Sequence, residues 1–118
     1  MELSALYRDI VERSPDGIWV FDLDGRTLYA NPALRQLFGV AEEQMSQLTV
    51  FDSLDDLGKT QFAAHLEDVR AGRTNEHDVE STFVRQDGSS LWVTISESEL
   101  RGPDGTVMGI LHRLSDYT

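Results

Sequence analysis

The chain has 118 residues, no cysteine and a formal net charge of -11 at neutral pH. That length and the 40% apolar content suit one compact domain, which would bury about two thirds of its unfolded surface. The missing cysteine excludes disulfides and thiolate chemistry, and the negative charge argues against contacts with nucleic acid or anionic membranes. No segment is long and apolar enough to span a bilayer, and the absence of cysteine fits a reducing compartment, so we expect a soluble, cytoplasmic protein.

The first predicted element is an amphipathic helix that ends at Ser14, before Pro15. Its apolar stripe consists of Leu3, Leu6, Tyr7 and Ile10. Such a stripe has to be covered by other apolar surface, either the back of the chain's own sheet or the same helix of a second copy. Both arrangements stay open at this point, and the second makes this segment the dimer helix of a homodimer.

Residues 15–39 predict a hairpin that leads directly into a capped helix. Residues 18–21 are β-branched and aromatic, which is typical of a strand. Asp24 and Gly25 supply the turn from which residues 26–30 return antiparallel. Asn31 then offers a side-chain oxygen to the first amides of a helix that Gly39 ends.

The middle of the chain is predicted to be helical. Residues 41–47 and 50–57 are short acidic segments that connect the first unit to a longer helix over residues 58–71. In that helix Phe62, Leu66 and Val69 form one apolar stripe, and Gly72 follows as a C-terminal cap.

The last part of the chain alternates between polar and apolar residues and predicts three strands, over residues 77–85, 91–100 and 107–114. In the second of these, Leu91, Val93 and Ile95 share one face. Strands joined by tight turns pair antiparallel. We therefore expect an α+β fold, a five-stranded antiparallel sheet with the middle helices closing one face.

Four segments in this order and spacing resemble a PAS domain. They are PDGIWVFDLDGRTLYANPALRQLFG at 15–39, RQDGSSLWV at 85–93, GPDGTVMGILHRL at 102–114 and SDYT at 115–118. The resemblance covers nearly the whole chain, with residues 1–14 as a flanking helix and 15–118 as the core. It implies a sensory or dimerisation module of a longer bacterial signalling protein, such as a histidine kinase, a cyclic dinucleotide enzyme or a transcription regulator.

The end of the chain is similar to the Asp-Ile-Thr triplet that closes the family consensus, here Asp116, Tyr117 and Thr118. An arginine often precedes that aspartate, whereas this chain has Ser115. In the family the triplet marks the exit from the sheet into a helix that carries the signal. The resemblance thus makes Asp116 and Thr118 the signal exit towards a covalently linked C-terminal effector domain, and a frayed tail is the alternative.

A pocket in such a fold would lie between the inner face of the sheet and the middle helices. The apolar candidates for its lining are Val20, Phe38, Phe62, Leu66, Val93 and Ile110, and the polar candidates are His65, Thr94, Ser96 and His112. A functional pocket for a small-molecule ligand needs a few converging polar groups among apolar walls. The same apolar residues could instead simply fill the core.

His65 lies on the apolar stripe of its helix, where a ring nitrogen could reach a haem iron or another ligand. The proximal histidine of haem-binding relatives falls nearer Gln61, and the alternative for His65 is a hydrogen bond to backbone or water. Cysteine-linked chromophores of the family are excluded here. Non-covalent flavin stays open, with Trp19 or Trp92 as stacking partners or as packing residues.

No nucleophile motif or metal-ligand set is visible in the sequence, so we expect no catalysis and no metal. His77 and Asp78 are neighbours on a strand and point to opposite faces, and Glu97 and Glu99 are interpreted as a solvated acidic face. Our first hypothesis is a sensor that passes the state of a ligand or partner to an effector. The alternative is a small cone-shaped α+β enzyme with His65 or His112 as base.

Overall fold

The computed structural model describes residues 3–73 and 78–116. The first half contains α1 (Leu3–Arg13), β1 (Gly17–Asp22), β2 (Thr27–Ala30), α2 (Pro32–Phe38) and α3 (Glu42–Met45). A 3₁₀ helix (Val50–Ser53) and α4 (Asp56–Arg70) follow, and then β3 (Asp78–Val84), β4 (Ser90–Arg101) and β5 (Val107–Asp116).

The strands form one sheet in the order β2-β1-β5-β4-β3, and every neighbouring pair is antiparallel. The predicted five-stranded antiparallel α+β fold is therefore confirmed. The middle strand is β5, which pairs with β1 on one side and β4 on the other. In this register His112 lies opposite Trp19 on β1 and opposite Glu97 on β4. Residues that are far apart in sequence thus meet at the centre of the sheet.

The side chain of Asn31 joins three elements. Its Oδ1 accepts from the amide of Leu34 in the first turn of α2 at 3.0 Å, which confirms the predicted cap. The same oxygen accepts from the amide of Ile18 on β1 at 2.8 Å. Its Nδ2 donates to the carbonyls of Val11 in α1 and of Asp16, at 2.9 and 3.0 Å. Asn31 is fully buried, and all of its hydrogen-bonding capacity serves neighbouring backbone.

The longest helix, α4, begins two residues earlier than predicted because Asp55 caps it. The carboxylate of Asp55 accepts from the amide of Gly58 at 2.7 Å, which satisfies one of the free N–H groups in the first turn. The helical turn predicted over residues 50–57 is a shorter 3₁₀ helix that ends at Ser53, and Leu54 and Asp55 connect it to α4.

The core lies between the inner face of the sheet and α2 and α4. On β4 the predicted alternation is confirmed, since Leu91, Val93 and Ile95 are buried while Trp92 is 56% exposed. The indole of Trp19 is fully buried and packs edge-on against Phe38 at 5.4 Å between ring centroids. Its Nε1 donates to the hydroxyl of Thr27 at 2.9 Å, so the buried polar atom has a partner.

Helix α1 is anchored through its last turn. The carbonyl of Val11 accepts from Asn31, and the Tyr29 hydroxyl hydrogen-bonds to the Glu12 carboxylate. Of the predicted stripe, Leu6 and Ile10 are 39% and 56% exposed, and the side chains of Leu3 and Tyr7 lie outside the described part. In the single chain Ile10 is thus mostly exposed, and Leu6 is partly covered. No described helix has the length and apolar character to cross a membrane.

Candidate functional site

A cleft of about 390 Å³ lies between the first half of α4 and the inner face of β3, β4 and β5. Its apolar walls come from Val50, Leu54, Leu57, Phe62, Phe83 and Ile95. Its polar lining includes Asp55, Gln61, His65, Ser81, Glu97 and His112. A concave site with apolar walls and a few converging polar groups is typical of small-molecule binding sites.

Strand alternation brings two of the polar residues together. Glu97 continues the inward-facing series of β4 after Val93 and Ile95, and His112 lies between the buried Ile110 and Leu114 on β5. Because Glu97 and His112 are register partners, their side chains emerge next to each other on the same face. Helix α4 places His65 opposite this pair, across the inner part of the cleft.

The Glu97 carboxylate accepts hydrogen bonds from both imidazoles. Its Oε1 lies 2.7 Å from His112 Nε2, and His65 Nε2 lies 2.7 Å from Oε2 and 2.9 Å from Oε1. An ionised carboxylate can only accept, so each Nε2 carries a proton. These contacts, which we call the His65–Glu97–His112 bridge, join α4 to β4 and to the middle strand β5. The side chains of His65, Glu97 and His112 are 31%, 11% and 7% exposed.

Burial and hydrogen bonding act in opposite directions on Glu97. Burial raises the pKa of its carboxyl, but the hydrogen bonds from His112 and His65 together outweigh it and lower the pKa from 4.5 to about 2. The hydrogen bond to Glu97 raises the pKa of His65, partly opposed by burial and assisted by the charges of Glu97, Asp68 and Glu99. Glu97 is therefore ionised at neutral pH, and His65 is more readily protonated than a free histidine.

Aromatic rings hold His112 in place. Its ring meets Phe21 edge-on with centroids 4.8 Å apart and lies 6.4 Å from Phe62. Phe62 in turn packs against Phe51 at 5.3 Å. Among the described residues, His112 Nδ1 has no hydrogen-bond partner, and in the neutral ring this atom is an acceptor. The imidazole is thus fixed by Glu97 on one side and by ring packing around it.

The structure divides the predicted pocket residues into three groups. Phe62, His65 and His112 line the cleft, and Phe38, Leu66, Val93 and Ile110 are buried in the core. Val20, Thr94 and Ser96 differ from the prediction because they alternate with inward-facing neighbours, Trp19 and Phe21 on β1 and Val93 and Ile95 on β4. Their side chains belong to the opposite face of the sheet.

The interpretation of Glu97 and Glu99 as a solvated acidic face is wrong. The Glu97 side chain is 11% exposed and the Glu99 side chain 9%. Glu97 accepts from two histidines, and Glu99 forms an ion pair with Arg101 at 3.2 Å. The period of two from Leu91 through Ile95 already places Glu97 on the inner face, where a carboxylate needs partners. That signal could have identified it.

The residues considered for cofactors do not fit those groups. His65 was expected either to reach a ligand or to bond to backbone or water, but Glu97 engages its Nε2, which is then not free for a haem iron. Trp19 is enclosed in the core and Trp92 is on the far face, so neither can stack on a flavin in the cleft. Within the described ranges, no group of three histidine, cysteine, aspartate or glutamate residues could hold a metal ion.

Several residues named in the sequence analysis lie outside the described part of the chain. His77, Tyr117 and Thr118 lie outside the described residues, as does the side chain of Asp78. Asp116 is the last residue of β5, and nothing is described of its side chain. The strand that would lead to the signal exit is therefore the same strand that carries His112.

Sheet order, helix placement and cleft together define a PAS fold. The PAS fold family matches residues 5–117, and the chain belongs to this family. It is 27% identical over 114 residues to the sensor histidine kinase TmoS of Ectopseudomonas mendocina, an alignment that covers 97% of this chain and 12% of the relative. It is also 27% identical over 113 residues to the probable diguanylate cyclase DgcE of Escherichia coli (strain K12), with 93% and 10% covered.

Among solved structures, a domain of the sensory box sensor histidine kinase/response regulator from Geobacter sulfurreducens is similar with a TM-score of 0.78 and 27% identity. That similarity covers 96% of this chain and 93% of the solved one. The chain spans about a tenth of the length of the two curated relatives. It is thus homologous to sensor-protein regions that form small parts of much longer chains.

Proposed function

We propose that this PAS domain binds a small molecule in the cleft and relays its presence to an effector domain that follows β5 in a longer protein. One observation carries the proposal. The His65–Glu97–His112 bridge joins the helix that walls the cleft to the central strand that leads to the predicted exit. The sensor kinase and the cyclase among the relatives indicate the kind of effector.

The proposed relay is a shift between two arrangements of the bridge. A ligand that competes for the Glu97 carboxylate weakens the hydrogen bond between Glu97 and His65 and changes the one between Glu97 and His112. Because β5 pairs with strands on both sides, a change at His112 reaches the centre of the sheet. Ligand binding then favours whichever arrangement it contacts better, and the difference in affinity sets the size of the response.

Amide NMR spectra of the wild type, His65→Gln and the control Lys59→Gln test this coupling. Both variants change one side chain on α4, but Lys59 is exposed and lies outside the cleft lining. We expect His65→Gln to shift amide resonances along β5 as far as Leu114, and Lys59→Gln to leave them unchanged. Shifts confined to α4 and Glu97 would contradict the relay. In a longer protein that contains this chain, His65→Gln should change the effector activity, and Lys59→Gln should leave it unchanged.

We further propose that the apolar stripe of α1, consisting of Leu3, Leu6, Tyr7 and Ile10, forms a homodimer contact. The exposure of Leu6 and Ile10 in the single chain supports it. Analytical ultracentrifugation of the Leu6→Glu/Ile10→Glu variant should show a monomer where the wild type is a dimer. Met108→Glu adds a charge at a residue that is 64% exposed and lies on β5, outside α1, and should leave the dimer intact. A wild type that stays monomeric at high concentration ends this proposal.

The enzyme hypothesis retains one supporting observation, an imidazole and carboxylate pair with shifted pKa values in an open cleft. Such pairs serve as general bases in many active sites. Once a ligand of the cleft is known, the assay is its recovery after incubation. Unchanged ligand supports the sensor, whereas turnover that disappears in His65→Gln supports the enzyme.

A further inference from the structure

We propose that the cleft selects a small organic cation with an apolar body, whose protonated nitrogen binds the Glu97 carboxylate. This inference rests on the proposed function, because it names the class of ligand for the same cleft. It follows from the charges that face the cleft, from the free acceptor capacity of Glu97 and from the apolar walls.

The charged and titratable lining favours a cation. Asp55 and Glu97 contribute carboxylates, and His65 and His112 contribute imidazoles. No lysine or arginine is among the described residues that line the cleft, so an anionic ligand would find no permanent positive charge there. The whole chain carries a formal net charge of -11, and its field attracts cations to the cleft.

Glu97 can accept another donor. A carboxylate offers about four acceptor positions, and the two imidazoles contribute one N–H group each through Nε2. The side chain is 11% exposed and lines the cleft, so it is enclosed by protein and still within reach of a ligand. A charge-assisted hydrogen bond at such a position is stronger than one on the open surface.

The rest of the cleft suits an apolar body next to that nitrogen. Leu54, Leu57 and Phe62 wall the side formed by α4 and the segment before it, and Phe83 and Ile95 wall the side formed by the sheet. The ring of Phe62, which also lines the cleft, lies 6.2 Å from that of His65 and 6.4 Å from that of His112 between centroids, so an aromatic ring stands next to both imidazoles that bind Glu97. A fully hydrated inorganic cation would leave these walls without a partner.

His65 makes the selection depend on pH. When protonated, it already neutralises Glu97, and an organic cation has to compete with it. When His65 loses its proton, the carboxylate charge is left unbalanced and the cation binds more tightly. The other charged groups that act on His65 are Asp68 on α4 and Glu99 on β4, which add negative charge, and His112 on β5 shares the Glu97 carboxylate with it.

Three probes with one carbon skeleton test the class of ligand: 2-phenylethylamine, 2-phenylethanol and phenylacetate. Their Kd values are measured by amide NMR titration at pH 7.5 and moderate salt. We expect the amine to bind at least about tenfold more tightly than the alcohol, and the carboxylate to bind most weakly. Between pH 6 and pH 8.5 the amine affinity should rise several-fold, because the amine stays protonated below about pH 9.

Two variants with the same change of charge separate the site from the general field. Glu97→Gln should reduce amine affinity about tenfold and leave the alcohol within about twofold, whereas Glu43→Gln, at an exposed position on α3, should change neither. If Glu97→Gln does not fold, the affinities of the wild type for the three probes still test whether the cleft selects a cation.

The outcomes distinguish this inference from the proposed function. An alcohol or carboxylate that binds as tightly as the amine overturns the class of ligand while the cleft remains a binding site. Amine binding that weakens in Glu43→Gln as much as in Glu97→Gln assigns the attraction to overall charge and overturns the role of Glu97. If none of the probes shifts a cleft resonance at millimolar concentration, this inference fails, while the proposed relay is still tested separately by the spectra of His65→Gln and Lys59→Gln.

Discussion

Replacing Glu97 by glutamine removes the negative charge that His65 and His112 share. The pKa of Glu97 falls from 4.5 to about 2 in the folded chain, so folding favours its ionised form by about 3 kcal/mol, at about 1.4 kcal/mol per pKa unit. A glutamine can accept from one imidazole, but its amide N–H groups then face the N–H of the other. We therefore expect Glu97→Gln to lower the free energy of unfolding by about 3 kcal/mol at pH 7.

The loss of unfolding free energy caused by Glu97→Gln should depend on pH. Because the pKa of Glu97 is lowered by folding, its contribution is complete well above the unfolded value of 4.5 and is lost as pH falls towards about 2. About 2 kcal/mol of it should be gone at pH 3. Urea unfolding between pH 3 and pH 7 measures the gap, which is the difference in free energy of unfolding between the wild type and Glu97→Gln, with Glu43→Gln as control. A gap below about 1 kcal/mol at pH 7, or one that does not narrow on acidification, would refute the reasoning.

Three further predictions concern other parts of the fold. Asn31→Asp keeps both accepted hydrogen bonds but loses both donated ones, and should cost about 2 kcal/mol in urea unfolding; a loss below about 0.5 kcal/mol would show that water replaces them. Trp19→Phe should destabilise by about 2 kcal/mol through lost packing and a lost hydrogen bond, whereas Trp92→Phe should change stability by less than about 0.5 kcal/mol. Burial, together with the hydrogen bond to Glu12, raises the pKa of Tyr29 to about 12. Ultraviolet titration should therefore show one phenol ionising near that pH, and Glu12→Gln should lower its midpoint.

Local signals were sufficient to predict the elements of the first half. The turn at Asp24 and Gly25 and the cap at Asn31 depend on residues a few positions apart, and both form as predicted. The tight turns also predicted the antiparallel pairing of the last three strands. That β5 lies between β1 and β4 depends instead on contacts across the whole chain, which no local pattern encodes.

The candidate site was only partly predictable. On β1 both faces are apolar, so periodicity alone could not tell whether Val20 or its neighbours Trp19 and Phe21 face inward. On β4 the alternation was clear, but the overall acidity of the chain favoured a surface interpretation for Glu97. The partner of His65 depends on where α4 crosses the sheet, and that position is set by packing between distant elements.

Asn31 also has a mechanical consequence for the proposed dimer. One amide group fixes the last turn of α1, the start of β1 and the first turn of α2 with four hydrogen bonds. The end of α1 therefore cannot rotate without straining β1, and β1 is paired along its full length with β5. In the proposed dimer, a change in how two α1 helices pack would thus reach β5 through β1, whereas a ligand in the cleft would reach it through His112.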